Sequence, residues 1–279
     1  MLVAGLLFAC MGVLVKYGSA QFSTSELVFY RSFFGLLVVY ALLRHAKVAL
    51  PTRHWRSHLL RGLSGTVAMM LFFYCISVLP LATAITLNYT SSLFLSALTV
   101  LVLKEKFHIP LSTSLAIGFA GIALLLRPTL AHDQLLSGFL GLASGMFAGV
   151  ALLNVRQLGV LGEPGMRVVF YFNLIATLAS GAWMLQGKLH MVAFADIPLL
   201  AAIGASATFA QLFMTRAYRT GQTLVVGSLA YSTIVFSALF GLLFWHELLS
   251  PGAWLGIALI IASGMLSLRL GPIQSEASK

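Results

Sequence analysis

Long apolar runs separated by short polar interruptions fill this chain almost from end to end. Ten such runs cover 2–17, 25–43, 59–79, 83–103, 111–126, 137–155, 166–185, 197–217, 224–245 and 253–268. Each approaches the roughly 20 residues with which a helix crosses about 30 Å of hydrocarbon. None alternates with period two, so the strands of a transmembrane barrel are not indicated. Lipid offers the backbone no hydrogen-bond partners, and a lone span satisfies its own only as a helix. The pattern predicts an all-α integral membrane protein with ten transmembrane helices. The connections are short except 44–58. Residues 1–270 are therefore expected to form one transmembrane domain, with a polar tail over 271–279.

Composition supports that solvent. The chain is 59% hydrophobic and 9% charged, with mean hydropathy +0.97, too little charge to cover a water-soluble fold of this size. Charge placement adds an orientation. With ten spans, the tail and the 2–3, 4–5, 6–7 and 8–9 connections share a side with the N-terminus. Thirteen of the 17 Lys and Arg residues, Arg44, Arg61, Lys104 and Arg216 among them, fall on that side or at its helix ends. Lys16, Arg127 and Lys188 fall on the other, and Arg31 lies within the second span. Positive charge stays in the cytoplasm during insertion, so both termini are expected there. Topology accounts for the net charge of +10 without a nucleic-acid partner. The first span has no basic leader, and its cation Lys16 lies on the far flank, which favours a retained helix over a cleaved signal. Cys10 and Cys75 sit within apolar spans and are expected as free thiols. Without paired His spacing they indicate neither a metal site nor a disulfide, and no cofactor motif is present.

The chain also repeats itself. Sliding it by 142 residues puts Thr66 on Thr208, Tyr89 on Tyr231, Phe94 on Phe236, Glu105 on Glu247 and Arg127 on Arg269. Leucine matches mean little in so apolar a chain; those at Tyr, Glu and Arg carry the weight. The implied repeats are 1–127 and 137–270. Each holds five spans, an odd number, so the second enters the membrane inverted. Inverted repeats are a common basis of alternating access around a midplane site. A duplication kept for packing alone would leave the same trace.

Several of these residues resemble the EamA-type ten-helix transporters of the drug/metabolite transporter superfamily. The resemblance rests on Lys16 closing span one and on Glu26-Leu27-Val28-Phe29-Tyr30-Arg31 opening span two. It rests also on Leu103-Lys104-Glu105 with Pro110, and on Trp245-His246-Glu247 with Pro251, Gly256 and Gly264. It implies two inverted five-helix bundles, with helices one, three, four, six, eight and nine lining a cavity. One departure stands out: Thr90 or Ser91 replaces the family's proline near the middle of span four. The resemblance further implies a multi-pass protein of the bacterial inner membrane that moves small molecules. Some branches move amino acids outward and others resemble S-adenosylmethionine or riboflavin carriers; the run His58-Leu59-Leu60-Arg61-Gly62 is similar to the latter.

The candidate site follows from polar residues inside the spans. Asn88, Ser92, Ser96 and Thr99 are spaced by four, four and three, one stripe of a helix, flanked by Tyr89. The stripe reads either as a cavity wall or as hydroxyls that join helices; for Asn88 a cavity is favoured, because a buried amide needs partners or water. Thr208, Gln211, Thr215 and Tyr218 form a similar face, with Gln211 the deepest strong polar group. Met70 and Tyr74 share a face of span three, and Ser228 and Tyr231 one of span nine. The expected substrate contacts are Tyr74, Asn88, Tyr89, Ser92, Gln211 and Tyr231. Arg31 costs at least about 2.5–3.5 kcal/mol in the membrane without partners. It is expected either to anchor span two, near Glu26, or to meet an anionic substrate. Lys16 is shallower and long enough to snorkel. Glu105 and Glu247 precede helices opened by Pro110 and Pro251, where a carboxylate caps free N–H groups. Gly145 belongs to a small-residue stripe and is a candidate hinge.

No acid falls in the middle of a span, so a proton relay is not indicated. No phosphate loop or nucleophile–base pair points to ATP hydrolysis or to an enzyme. The function expected is a secondary transporter or facilitator, working by alternating access on amino acids or related amphipathic metabolites, with export favoured. Carriage of S-adenosylmethionine- or riboflavin-like metabolites is the alternative, and a channel or intramembrane enzyme ranks lower. The expected partners are the substrate and the lipid bilayer, with the protein a monomer or weak homodimer.

Overall fold

The computed structural model describes residues 1–95, 98, 109–126, 134–186, 190–220 and 229–270. Among them run ten α-helices: α1 (Leu2–Gly18), α2 (Thr24–His45), α3 (Trp55–Val78), α4 (Leu81–Tyr89), α5 (Ile109–Leu126), α6 (Leu135–Val160), α7 (Gly165–Met184), α8 (Ile197–Thr220), α9 (Ser232–Trp245) and α10 (Pro251–Leu270). No strand occurs among the described residues. Large apolar side chains such as Leu178, Trp183 and Leu243 stand outward, each about two-thirds exposed, as lipid-facing positions must.

Local chemistry sets the helix ends. Ser23 and Glu26 form a reciprocal capping box at the start of α2, satisfying two N–H groups that the first turn leaves free. His246 adopts a left-handed conformation (φ 53°, ψ 34°) that stops α9. The His246 N–H reaches the Leu242 carbonyl and the Glu247 N–H turns back to that of Gly241, both at 3.1 Å, closing the helix with an αL cap.

Spans four and nine differ from the expectation of continuous helices. α4 ends at Tyr89, the chain turns at Thr90, and helix resumes over 91–95. In the second half a turn at Tyr231 precedes α9. Thr90 (φ −62°, ψ −10°) and Tyr231 (φ −66°, ψ −13°) have nearly the same backbone conformation. Proline is not needed for either break. Thr90 Oγ1 donates to the Leu87 carbonyl, Ser92 Oγ to that of Tyr89, and Thr233 Oγ1 to that of Ala230. Hydroxyls that bond back to nearby carbonyls compete with the backbone ladder and bend helices.

Helix contacts obey a two-fold relation between the halves. α1 packs on α8 as α6 packs on α3, α2 on α8 as α7 on α3, and α1 on α9 as α6 on α4. Three pairs are their own mates: α2 with α7, α4 with α9, and α5 with α10. Such self-paired contacts define an isologous interface, so the pseudo-symmetry axis passes through them. The detail agrees at α5–α10. A Cβ on Gly118 would meet Ser263 Oγ at 2.7 Å, and one on Gly121 would meet Ile260 at 3.0 Å; the 142-residue shift maps each contact onto the other. The architecture is two inverted five-helix repeats.

Candidate functional site

The breaks in spans four and nine face each other at the α4–α9 contact. The Tyr89 hydroxyl lies 2.8 Å from Thr233 Oγ1, and the Tyr231 hydroxyl lies 2.8 Å from Ser92 Oγ. The two rings, 142 residues apart in sequence, meet with centroids 5.9 Å apart at 49°. Tyr231 is 4% exposed, and Tyr89 and Ser92 are half-buried. Asn88 turns to the other side of α4 and donates from Nδ2 to Ser144 Oγ of α6 at 2.8 Å. Three expected contacts, Tyr89, Ser92 and Tyr231, thus share one cluster, with Asn88 beside it. Tyr74 stands apart from the cluster on α3, 36% exposed, and Gln211 is half-buried on α8. Ser96, Thr99 and Ser228 lie outside the described residues.

A glycine stripe on α6 holds the break in span four. A Cβ on Gly145 would fall 2.7 Å from the Leu87 carbonyl oxygen, and one on Gly149 would fall 3.1 Å from that of Ser91. Any larger residue at Gly145 would push α4 away, so its backbone approaches closely there for want of a side chain.

The charged residues make connections that their sequence positions do not suggest. The Glu247 carboxylate does cap a helix, but it is α4: Oε2 accepts from the Leu81 N–H at 2.8 Å. Its own following helix, α10, is capped by Ser250 Oγ, which accepts from the Ala253 N–H. Oε1 of Glu247 pairs with Lys16 Nζ, which also donates to the Leu79 carbonyl at 3.0 Å. Lys16 therefore does not snorkel away; it ties the end of α1 to the α3–α4 and α9–α10 turns. Glu105 lies outside the described residues.

Arg31 is 5% exposed. It donates from Nη1 to Asn173 Oδ1 of α7 at 3.3 Å. Glu26 is engaged elsewhere, by Ser23 and by the His190 ring and N–H. Arg31 and Asn173 are again 142 residues apart, so this pair too stands on the pseudo-symmetry axis. At the other end of α7, Glu163 accepts from Thr52 Oγ1 and, at 2.9 Å, from Arg167. Arg167 Nε reaches the Ala49 carbonyl at 2.8 Å, and the Tyr171 hydroxyl reaches that of Leu50 at 3.0 Å. Burial alone would raise the Glu163 carboxyl, but the Thr52 and Arg167 hydrogen bonds and the Arg167 charge hold it below the ordinary range.

Thr233, Ser144, Asn173 and Arg61 belong to this polar interior, and the sequence reading did not single them out for it. The repeat register carried a signal for Asn173, since it is the mate of Arg31. Arg61, assigned from sequence to the cytoplasmic helix ends, lies in the second turn of α3 with Nε and Nη1 sealed from solvent. Thr233 and Ser144 had no such signal, because a lone hydroxyl in an apolar helix is common.

A fold of inverted five-helix repeats, self-paired across interrupted helices, is one on which many membrane transporters are built. Sequence comparison agrees and sharpens the class. The EamA-like transporter family matches residues 1–127 and again 135–269, and the chain belongs to that family. It is 33% identical over 264 residues to the pseudopaline exporter CntI of Pseudomonas aeruginosa, covering 95% of this chain and 90% of the relative. It is 25% identical to an S-adenosylmethionine uptake transporter of Rickettsia prowazekii, covering 89% and 84%. One solved crystal structure superposes with TM-score 0.67 over 95% of this chain and 93% of the other, at 18% identity; that likeness shows the fold alone. The protein is a transporter, not an enzyme.

Proposed function

We propose that this protein exports small amphipathic metabolites, amino acids or related compounds, across the bacterial inner membrane by alternating access. The observation that carries the reading is the α4–α9 cluster. Two interrupted helices meet on the pseudo-symmetry axis and present tyrosine rings, hydroxyls and partly freed backbone groups to each other. Discontinuous helices at a repeat interface supply substrate groups with backbone and side-chain partners in lipid. Flat rings with a few hydroxyls suit ligands that are partly apolar. Parting α4 from α9 breaks the bonds Tyr89 and Tyr231 make across the contact, and a substrate can replace both.

The polar ties at the helix ends supply the gates. With both termini cytoplasmic, the Lys16–Glu247 pair and the Glu26–His190 contact stand at the outer end. The group of Thr52, Glu163 and Arg167 stands at the inner end. Carriage requires that one set opens while the other holds. Similarity to a relative named as an exporter favours outward movement. Similarity to a named S-adenosylmethionine uptake transporter supports a second reading, in which the cargo is a larger metabolite of that kind and moves inward.

Proteoliposomes loaded with radiolabelled amino acids test the first reading. Saturable flux with counterflow is expected. Replacing both tyrosines by Phe should raise KM by about 30-fold, since two hydroxyl contacts worth about 1 kcal/mol each are lost. Flux that never saturates would instead mark a channel, and flux indifferent to both substitutions would remove the cluster from the pathway.

A further inference from the structure

Deep between α2, α3 and α7, two guanidinium groups flank one aromatic ring. The Arg61 guanidinium carbon lies 4.2 Å from the Phe172 ring centroid and that of Arg31 lies 5.5 Å from it. Arg31 is seven residues into α2 and Arg61 six residues into α3, each about 10 Å from the N-terminal end of its helix at 1.5 Å per residue. Arg31 is 5% exposed, and Arg61, half-buried as a residue, has its Nε and Nη1 sealed from solvent. Nε of Arg31, and Nε and Nη1 of Arg61, are buried without a hydrogen-bond partner. Among the described residues Asn173 Oδ1 is the one side-chain acceptor supplied, to Arg31. All four carboxylates among the described residues are committed elsewhere: Glu26 to Ser23 and His190, Glu163 to Thr52 and Arg167, Asp196 to the Ala193 N–H, Glu247 to Lys16 and Leu81.

The space is shaped for this. A Cβ on Gly65 would overlap Arg61 Nη1 and come 2.9 Å from the Phe172 ring, so glycine there leaves room for the guanidinium over the ring. Guanidinium groups sealed this deep, with no counter-charge among the described residues, are unfavourable in a low dielectric. Stacking on one ring offsets part of this, and leaves the in-plane N–H groups unmet. Guanidinium forks match carboxylates in geometry and number of donors.

We propose that Arg31 and Arg61 form a carboxylate-binding site, filled by the carboxylate of the transported metabolite, with Phe172 as its apolar floor and Asn173 fixing Arg31. This rests on the transport reading and names its cargo class: compounds bearing a free carboxylate. It also gives a purpose to the absence, among the described residues, of an acid paired with either arginine, because a resident carboxylate would compete with the substrate.

Two measurements separate the site from the wider reading. First, the melting temperature of detergent-solubilised protein is followed against potassium benzoate, with benzamide and potassium chloride at equal concentration as controls. A saturable rise with benzoate alone is expected. Arg61→Gln should raise the half-saturating concentration at least tenfold, Arg61→Lys should keep part of the response, and Gly65→Ala should weaken it while leaving both charges in place. Equal shifts with benzamide or chloride, no shift at all, or a full response in Arg61→Gln with normal folding would overturn the site. Second, proteoliposomes are offered amino acids and their amides. Preference for the acids supports the site. Carriage of the amides alone overturns it and leaves the transporter reading standing, whereas no carriage of either beside a normal benzoate response sinks the proposed amino-acid cargo and leaves the site standing.

Discussion

Neutralising Glu247 tests whether the tie at the end of α1 is a gate. The carboxylate holds Lys16 through one oxygen and the Leu81 N–H through the other. The two side chains are only 12% and 16% exposed, so solvent screens the pair weakly. Glu247→Gln keeps an acceptor for Leu81 and removes the charge that Lys16 faces. Lys16 retains the Leu79 carbonyl. What is lost is the ionic part of a charge-assisted bond, about 2 kcal/mol. If that bond exists only while the outer end is closed, its loss shifts the balance toward the outward-open form about 30-fold. A single reporter cysteine at Ser92, with Cys10 and Cys75 replaced by Ala, reads this through its rate of labelling by a membrane-impermeant maleimide. Labelling from the periplasmic side should accelerate by about that factor, and labelling from the cytoplasmic side should slow. Lys16→Gln should act in the same direction. The double variant should fall short of the sum, because removing either partner alone leaves the other buried and unpaired. Unchanged labelling in a folded Glu247→Gln protein would refute the gate, and acceleration from the cytoplasmic side would refute the orientation.

Other expectations follow from neighbouring parts of the structure. The Glu163 carboxyl is held below its ordinary range, near 4.3, so its ionised form contributes stability above that pH and loses it as pH falls through the depressed folded value. Melting temperature in detergent should therefore drop as pH falls below about 4, and Glu163→Gln should flatten that slope; identical slopes would refute the assignment. Gly145→Ala places a methyl group against the Leu87 carbonyl and should destabilise the protein by about 1–3 kcal/mol. Transport should slow too, and an unchanged melting curve with normal flux would count against close packing there. Reporter fusions at residues 47 and 163 should both read cytoplasmic and at residue 190 periplasmic; any other result overturns the orientation drawn from the charge pattern.

Much of the architecture was legible because a membrane reduces the problem. Apolar length alone located the helices, and the start of α3 moved by only four residues, from 59 to 55. The repeat register was legible through rare matches such as Tyr89 with Tyr231. Partners across the bundle were not. Glu247 precedes Pro251 in sequence, yet its carboxylate serves α4, because the left-handed turn at His246 folds it back over Gly241, where a Cβ would lie 2.6 Å from Oε2. Arg61 was counted with loop cations since hydropathy places a helix end only within a few residues, and here the error spans a turn. The break at Thr90 leaves no mark that hydropathy can read: serine and threonine weaken the ladder through their hydroxyls, while their apolarity keeps the run intact.

The pairs Arg31–Asn173 and Tyr89–Tyr231 bear on how such a machine would alternate. In an inverted repeat, the two access states are related by letting each half adopt the other's conformation. A contact between symmetry mates maps onto itself under that exchange and can persist in both states. A contact between unlike positions maps onto a different pair, and is made or broken. The on-axis Arg31–Asn173 pair, outside the α4–α9 contact that substrate parts, is thus suited to serve as pivot, while Lys16–Glu247 is suited to serve as switch. The shift places Leu158, fully buried, where repeat one has Lys16. The two ends are therefore not equivalent in charge at these positions, and under the proposed alternating access one state would be favoured at rest by whatever that ion pair contributes. Moving the lysine from position 16 to 158 should invert the preference, which side-specific labelling of the Ser92 reporter can detect.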